Sequence, residues 1–174
     1  MLKIAALAVA AATATQSPAL VSSAPWWEKV TVTLSGDGKA HSCTYETSLR
    51  VAAANACEVS GGGKAFSASS GGSKEELTRI TFERKFVPGV AAPGNASLQP
   101  GDTLLGQQVM ALAIDEAGAV KACKIVARSG EMTPEYGCDE AQTEKFEPTG
   151  RTASAEPQLG FMTVAVYGHE EHMA

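Results

Sequence analysis

The sequence is poor in aromatic side chains and contains no cluster of basic residues. Only 6% of its 174 residues are Phe, Trp or Tyr, and 14 Lys and Arg stand against 19 Asp and Glu, which gives a net charge of −5. A nucleic-acid-binding protein normally carries a basic face or stripe, so the sequence predicts no nucleic-acid partner. The acidic balance also gives the chain no attraction to an anionic membrane surface.

Motifs that identify common enzyme classes are also missing. There is no G-x-S-x-G nucleophile elbow, no G-K-[ST] phosphate loop and no C-x-x-C pair. His41 lies near Cys43, but a disulfide at that cysteine would remove the nucleophile of a Cys/His dyad. His169 and His172 lie in the C-terminal tail, a position typical of adventitious metal binding. We therefore predict no catalytic residue, no metal site and no cofactor, with an enzyme as an alternative.

The N-terminus has the features of an export signal, although its apolar run is short. Lys3 precedes the 11 apolar or small residues of Ile4–Ala14, which as a helix would span about 17 Å of a hydrocarbon core about 30 Å thick. Small-x-small cleavage sites end at Ala14 and Ala24, the second followed by an unfavourable Pro25. The pattern predicts a signal peptide at 1–24 and a periplasmic or secreted mature protein. The alternative is an uncleaved inner-membrane anchor, and only then would the membrane be a partner.

The back half of the chain carries a strand–strand–helix–strand pattern. Apolar residues dominate Gln108–Ile114, and the next residues, DEAG, supply a hairpin turn because the glycine accepts positive φ without steric cost. The return strand alternates over Ala119–Arg128. A short helix at Glu135–Lys145 and a last strand at Leu159–Gly168 complete the predicted order.

Four features of this half occur in an order found in a known family. They are the strand ending in Asp115, the turn at Gly118, the C-x-I-V-x-x-S-G run that begins at Cys123, and F-E-P at Phe146–Pro148. On these residues, the segment from about Gln107 to Gly168 resembles the C-terminal domain of TonB-type energy transducers. Two departures are a helical segment with few apolar residues and the lack of a basic, Trp-containing run before F-E-P.

The front half repeats the pattern of the back half. Strands are predicted at Lys29–Leu34, Lys39–Thr47 and Glu76–Phe86, with the turn Ser35–Gly38 and a short helix at Ser48–Cys57. Alternation in the third strand places Ile80, Phe82 and Phe86 on one face.

The cysteines support a duplication. Cys43 and Cys123 each lie five residues after the turn glycine of their half, Cys57 follows Cys43 by 14 residues, and Cys138 follows Cys123 by 15. Four cysteines in an exported chain predict two disulfides, and a tandem repeat pairs Cys43 with Cys57 and Cys123 with Cys138. Paired cysteines also resemble those of a subset of TonB-type domains. Coincidence between two short hairpins is the alternative to duplication.

These patterns predict an α+β protein of two tandem strand–strand–helix–strand units, each an antiparallel sheet with a helix packed on one face. The predicted boundaries are a degenerate first unit at 25–88, a linker at 89–103 and a second unit at 104–174. The linker is predicted because the stretch between Val87 and Gly101 is rich in proline and glycine without apolar periodicity.

The resemblance implies a non-catalytic protein that binds a protein or extended peptide, such as an outer-membrane receptor segment. Such binding adds a strand to a sheet edge through main-chain hydrogen bonds. The alternatives are a membrane-anchored TonB-type energy transducer for outer-membrane transport and a secreted, disulfide-stapled inhibitor or assembly factor. Trp26 and Trp27 are predicted either as an exposed aromatic anchor or as core. The edges expected to bind are the last strand of each unit, with the residues Ile80, Phe82, Phe86, Phe161, Thr163, Ala165 and Tyr167.

Overall fold

Six strands form one antiparallel sheet in the computed structural model, which describes residues 20–35, 39–49, 78–94, 98–149 and 156–170. The order of strands across the sheet is β2-β1-β3-β6-β4-β5, and every neighbouring pair is antiparallel. The described elements are β1 Trp26–Leu34, β2 Ala40–Thr47, β3 Arg79–Pro88, β4 Asp102–Ile114, β5 Val120–Gly130, the four-residue helix α1 Cys138–Ala141, and β6 Gln158–His169.

The prediction of two separate sheets, each with its own packed helix, is wrong. The third strands of the two halves, β3 and β6, pair with each other and join all six strands into one sheet. The helix predicted at Glu135–Lys145 shrinks to Cys138–Ala141, because Pro134 and Gly137 are poor residues for a helix interior. The front helix predicted at Ser48–Cys57 lies, from residue 50 onward, outside the described residues.

The two halves share strand order and register. In each half the first strand lies between the second and the third. Val32 pairs with Cys43 in the front half, and Leu112 pairs with Cys123 in the back half, so adding 80 to each residue number converts one pair into the other. The register shift after Thr33 recurs after Ala113, again 80 positions later.

The same offset locates an approximate two-fold axis between the halves. Arg84 on β3 pairs with Val164 on β6, and these two residues are themselves 80 positions apart. An antiparallel pair of equivalent positions lies on the axis that relates two copies. The axis therefore passes through the middle of the β3–β6 pair.

The core lies on one face of the sheet, as expected for an antiparallel sheet with alternating patterning. Phe86, Met110 and Met162 are fully buried there, and Trp26 stacks on Phe86 with ring centroids 6.3 Å apart. The segment that connects β5 to β6 crosses this face and inserts Phe146, whose ring lies 4.7 Å from that of Phe86. Trp26, Phe86, Met110 and Met162 therefore share a core with the F-E-P segment. A second buried cluster lies on the same face and consists of Val32, Leu34, Ile80 and Val166.

Backbone hydrogen bonds hold the F-E-P segment against both the N-terminal stretch and the β4–β5 hairpin. The Val21 amide donates to the Lys145 carbonyl (2.8 Å), and the Glu147 amide donates to the Val21 carbonyl (2.8 Å). The Phe146 amide donates to the Gly118 carbonyl (2.8 Å). Val21 is itself buried in the core, so the residues just before β1 are part of the folded protein.

Position 118 requires glycine, because its backbone has positive φ and because the Phe146 carbonyl leaves no room for a side chain. Its φ is +84°, and a Cβ there would lie 1.9 Å from the Phe146 carbonyl oxygen. Left-handed backbone costs a non-glycine residue about 1–2 kcal/mol, and this contact would also separate the F-E-P segment from the hairpin.

Replacement Gly118→Ala is expected to lower the free energy of unfolding by at least about 2 kcal/mol, measured by urea denaturation, because strain and overlap add. Gly94→Ala is the matched control, since Gly94 has ordinary φ and nothing within 4 Å of the added carbon. Equal stability of the two variants would contradict the placement of Phe146 on the hairpin.

Candidate binding edge and central polar cluster

The residues predicted to form the binding edge lie in the interior of the sheet, and that prediction is wrong. β3 is bonded to β1 on one side and to β6 on the other, and β6 is bonded to β3 and β4. Their pairing runs from Arg79 opposite His169 to Pro88 opposite Gly160. Neither strand has a free edge. The residues concerned are Ile80, Phe82, Phe86, Phe161, Thr163, Ala165 and Tyr167.

These residues divide between the two faces of the sheet. Ile80, Phe82 and Phe86 share the apolar face, as predicted, and pack into the core. Those on β6 alternate onto the opposite, more polar face, where Ala165 and Thr163 are buried. The sequence indicates which strand ends each three-stranded unit, but not that the two end strands meet each other.

The outer strands of the described sheet are β2 and β5. The start of the β5 edge is already occupied, because Ala119 forms an antiparallel bridge with Lys145. Beyond that point, no strand of the described residues pairs with the outer side of β5. The residues that follow β2, 50–77, lie outside the described part of the chain. Of the two outer strands, β5 is therefore the one whose neighbouring residues in sequence are described on both sides.

Side chains along β5 are exposed and cationic. Lys121, Lys124 and Arg128 are exposed. Lys121 Nζ forms an ion pair with Asp115 Oδ2, 3.2 Å away. Val126 sits at the register shift between β4 and β5 and is 47% exposed. Cys123 and Ile125 instead turn toward the core, so the strand is anchored through one face while its edge is open.

A disulfide fixes β5 to the segment that follows it, described over residues 131–149 and here called the crossover segment. Cys123 is bonded to Cys138 with a Cα–Cα distance of 5.5 Å, which confirms this predicted pairing. Cys43 is also disulfide-bonded, and its predicted partner Cys57 lies outside the described residues. Gln108 supports the same segment from β4, because its Nε2 donates to the Tyr136 carbonyl oxygen (2.6 Å).

A polar cluster lies on the apolar face at the two-fold axis. Arg84 donates to Glu28 through Nε (2.6 Å) and also pairs with Glu144 from the crossover segment. Its guanidinium lies over the ring of Trp26 and over the ring of Tyr136, 5.1 and 4.7 Å from their centroids. Arg84 therefore joins β1 and β3 of the front half to the crossover of the back half.

Two tyrosines complete the cluster by donating to its carboxylates. The Tyr136 hydroxyl donates to Glu144 Oε1 (2.8 Å), and the Tyr45 hydroxyl donates to Glu28 Oε2 (2.8 Å). Burial would lower the pKa of Arg84, but Glu144 and Glu28 outweigh that effect and raise it above its ordinary value. Burial raises the pKa of Tyr136, with Glu144 adding to the rise and Arg84 opposing it. Arg84 and Tyr136 thus keep their protons well above neutral pH, so neither is suited to proton transfer there.

The opposite face carries a second polar network, which is satisfied internally. Glu83 accepts ion pairs from Lys29 (3.4 Å) and Lys85 (2.7 Å), and the Tyr167 hydroxyl donates to it (3.3 Å). His169 Nδ1 lies 2.9 Å from Asp102 Oδ1. Within residues 20–35, 39–49, 78–94, 98–149 and 156–170, no three metal-ligating side chains group together. Across those same ranges, no helix is long and apolar enough to cross a membrane.

The tryptophan pair is divided between core and surface. Trp26 is buried against Phe86, which confirms the core alternative for that residue. Trp27 is half-buried on the other face, with the Lys29 ammonium 5.3 Å from its ring. The exposed aromatic anchor predicted for the pair is therefore wrong for Trp26.

Comparison with protein-family models, curated proteins and solved structures finds no match to this chain.

Replacement Arg84→Ala is expected to lower the free energy of unfolding by about 2–4 kcal/mol, because the partly buried Glu28 and Glu144 would be left together without a cation. Lys85→Ala is the matched control on the same strand. Its side chain is 45% exposed, and Glu83 would keep its ion pair with Lys29, so a loss below about 1 kcal/mol is expected. Urea denaturation measures both.

A triple variant separates charge imbalance from lost packing. Arg84→Met combined with Glu28→Gln and Glu144→Gln removes the carboxylates that Arg84 neutralises, and it should recover a large part of the lost stability. If the triple variant is no more stable than Arg84→Ala alone, the cluster does not act through its charges.

Stability is also expected to fall as the pH rises above about 10, where free tyrosine ionises. The pKa of Tyr136 is raised in the folded state, so between the unfolded and folded values the unfolded chain holds fewer protons and unfolding becomes easier. In Tyr136→Phe, the decrease in unfolding free energy from pH 9 to pH 11 should be smaller than in the parent. If the unfolding free energy falls equally in the variant and the parent, folding does not raise the pKa of Tyr136.

Proposed function

We propose that this chain is an exported, non-catalytic binding protein, related to the C-terminal domain of TonB-type transducers, that binds an extended segment of a partner protein at the free edge of β5. The observation that carries the proposal is the outer side of β5 from Lys121 to Gly130, unpaired within the described sheet. An unpaired edge supplies a row of main-chain donors and acceptors that an extended peptide can complete.

The shared register supports descent from a duplicated three-stranded unit. Strand order, the position of the second-strand cysteine and the hairpin register shift all recur at an offset of 80 residues. In such a duplication, each copy covers the last strand of the other. Binding is therefore moved from those strands to the outer ones.

The surroundings of β5 suit it to this role. The Cys123–Cys138 disulfide and the inward packing of Ile125 hold the strand in place from one face. A partner would meet a strand that is already extended, so little ordering of the protein is needed before main-chain hydrogen bonds form.

Chemical-shift mapping with extended peptides tests this function. A peptide rich in alternating Thr and Val, added to the oxidised mature protein, should perturb the amides of 121–130 and leave the centre of β3 and β6 unchanged. The control is the same peptide methylated at alternate backbone nitrogens, which removes ladder donors and should abolish binding. Perturbation centred on β3 and β6, or binding that survives methylation, would contradict edge addition at β5.

The buried position of Val21 leads us to predict which of the two signal-peptide cleavage sites is used. Cleavage after Ala24 would remove Val21, its two backbone hydrogen bonds to the F-E-P segment and its place in the core. Cleavage after Ala14 would keep them. Intact mass of the secreted, non-reduced protein should therefore correspond to a chain that begins at Thr15. A stable mature chain that begins at Pro25 would contradict the importance of this contact.

A further inference from the structure

The charge on β5 is opposite in sign to that of the chain as a whole. The strand carries Lys121, Lys124 and Arg128 and no acidic residue, in a protein of net charge −5. Lys121 is engaged by Asp115, whereas Lys124 and Arg128 are exposed and have no acidic partner among the described residues. The acids nearest in sequence, Glu116 and Glu131, lie in the turns at the two ends of the strand.

The two unengaged cations flank one exposed apolar residue. Lys124 pairs with Ala111 across the β4–β5 ladder, Arg128 pairs with Gln108, and Val126 lies in the register shift between them. Ala111 belongs to the polar face and Gln108 to the apolar face, so the cations project on opposite faces of the sheet. A strand laid along this edge would therefore meet positive charge from both faces and an apolar contact at Val126.

This arrangement also selects against other occupants. A second copy that paired β5 with β5 would bring like charges together, which is destabilising for cross-strand neighbours. Lysines on an exposed edge also protect a strand against indiscriminate pairing with other strands. An acidic strand is the occupant whose charge complements the edge.

We propose that the β5 edge binds an extended partner segment with acidic residues on both of its faces, and that Lys124 and Arg128 select this segment by charge. The inference rests on the proposed function of β5 as the binding edge. It adds the chemical class of the partner, an acidic strand-forming segment of another protein.

Three peptides that differ only in charge test the proposal. Strand-forming Thr/Val peptides carrying two Glu, two Gln or two Lys at matched positions are titrated into the oxidised mature protein, with binding followed by fluorescence anisotropy. The Glu peptide should bind about tenfold more tightly than the Gln peptide at low salt, since two screened ion pairs contribute about threefold each. The Lys peptide should bind most weakly, and the preference should shrink as salt screens the charges.

Charge-reversal variants assign the preference to particular residues. Lys124→Glu with Arg128→Glu should reverse the order, so that the Lys peptide binds more tightly than the Glu peptide. Lys39→Glu is a control for net charge, to be compared with Lys124→Glu alone: Lys39 is an exposed lysine beside β2, and its reversal changes the net charge as much as one β5 reversal does without touching β5. It should leave the order of the three peptides intact.

The outcomes separate this inference from the function on which it rests. Equal binding of all three peptides at 121–130 would overturn the acidic preference and leave edge addition at β5 standing. No binding of any peptide would overturn both. Tight binding of the Glu peptide that survives backbone methylation, or that Lys39→Glu weakens as much as the β5 reversals do, would show non-specific attraction and also overturn the inference.

Discussion

The antiparallel pairing of β3 with β6 is the constraint on which the rest of the structure depends. It runs the length of both strands, from Arg79 opposite His169 to Pro88 opposite Gly160. Through it, two three-stranded halves that each bury little core become one sheet with a shared apolar face. The same pairing uses one edge of each half, so the remaining edges lie at β2 and β5.

The polar cluster follows from that geometry. Arg84 lies on the approximate two-fold axis, on the face that the crossover segment must cover. Its carboxylate partners are Glu28 from β1 and Glu144 from the crossover segment, and its guanidinium lies over two aromatic rings. A cation placed there joins β1 of the front half to the crossover segment of the back half through directional ion pairs. Val164 occupies the equivalent position in the other half, so the two halves differ at the axis.

Local features of this fold could be predicted from the sequence, and its assembly could not. The strands over 29–34 and 108–114, the shared face of Ile80, Phe82 and Phe86, and the glycine turn at Gly118 depend on near neighbours, and the structure has all of them. The Cys123–Cys138 pair is predicted from the repeated cysteine spacing, and the structure has it as well. The joining of the halves depends on residues far apart in sequence, and no periodicity shows which edges meet. The sequence therefore predicts free edges at β3 and β6, which lie inside the sheet. The cationic pattern of β5 was visible in the sequence, but its meaning depends on that strand being outermost.

Amide hydrogen exchange along β6 and β5 tests the central claim most directly, because exchange reports which amides are paired on each side of a strand. If β6 lies between β3 and β4, all its amides from Phe161 to Tyr167 should be strongly protected, and those of β3 with them. Along β5, protection should alternate on each side of the register shift at Val126, with the amides that point to the outer side exchanging fast. Alternating protection along β6, with uniform protection along β5, would contradict the joined sheet and return the free edge to the last strand of the second half.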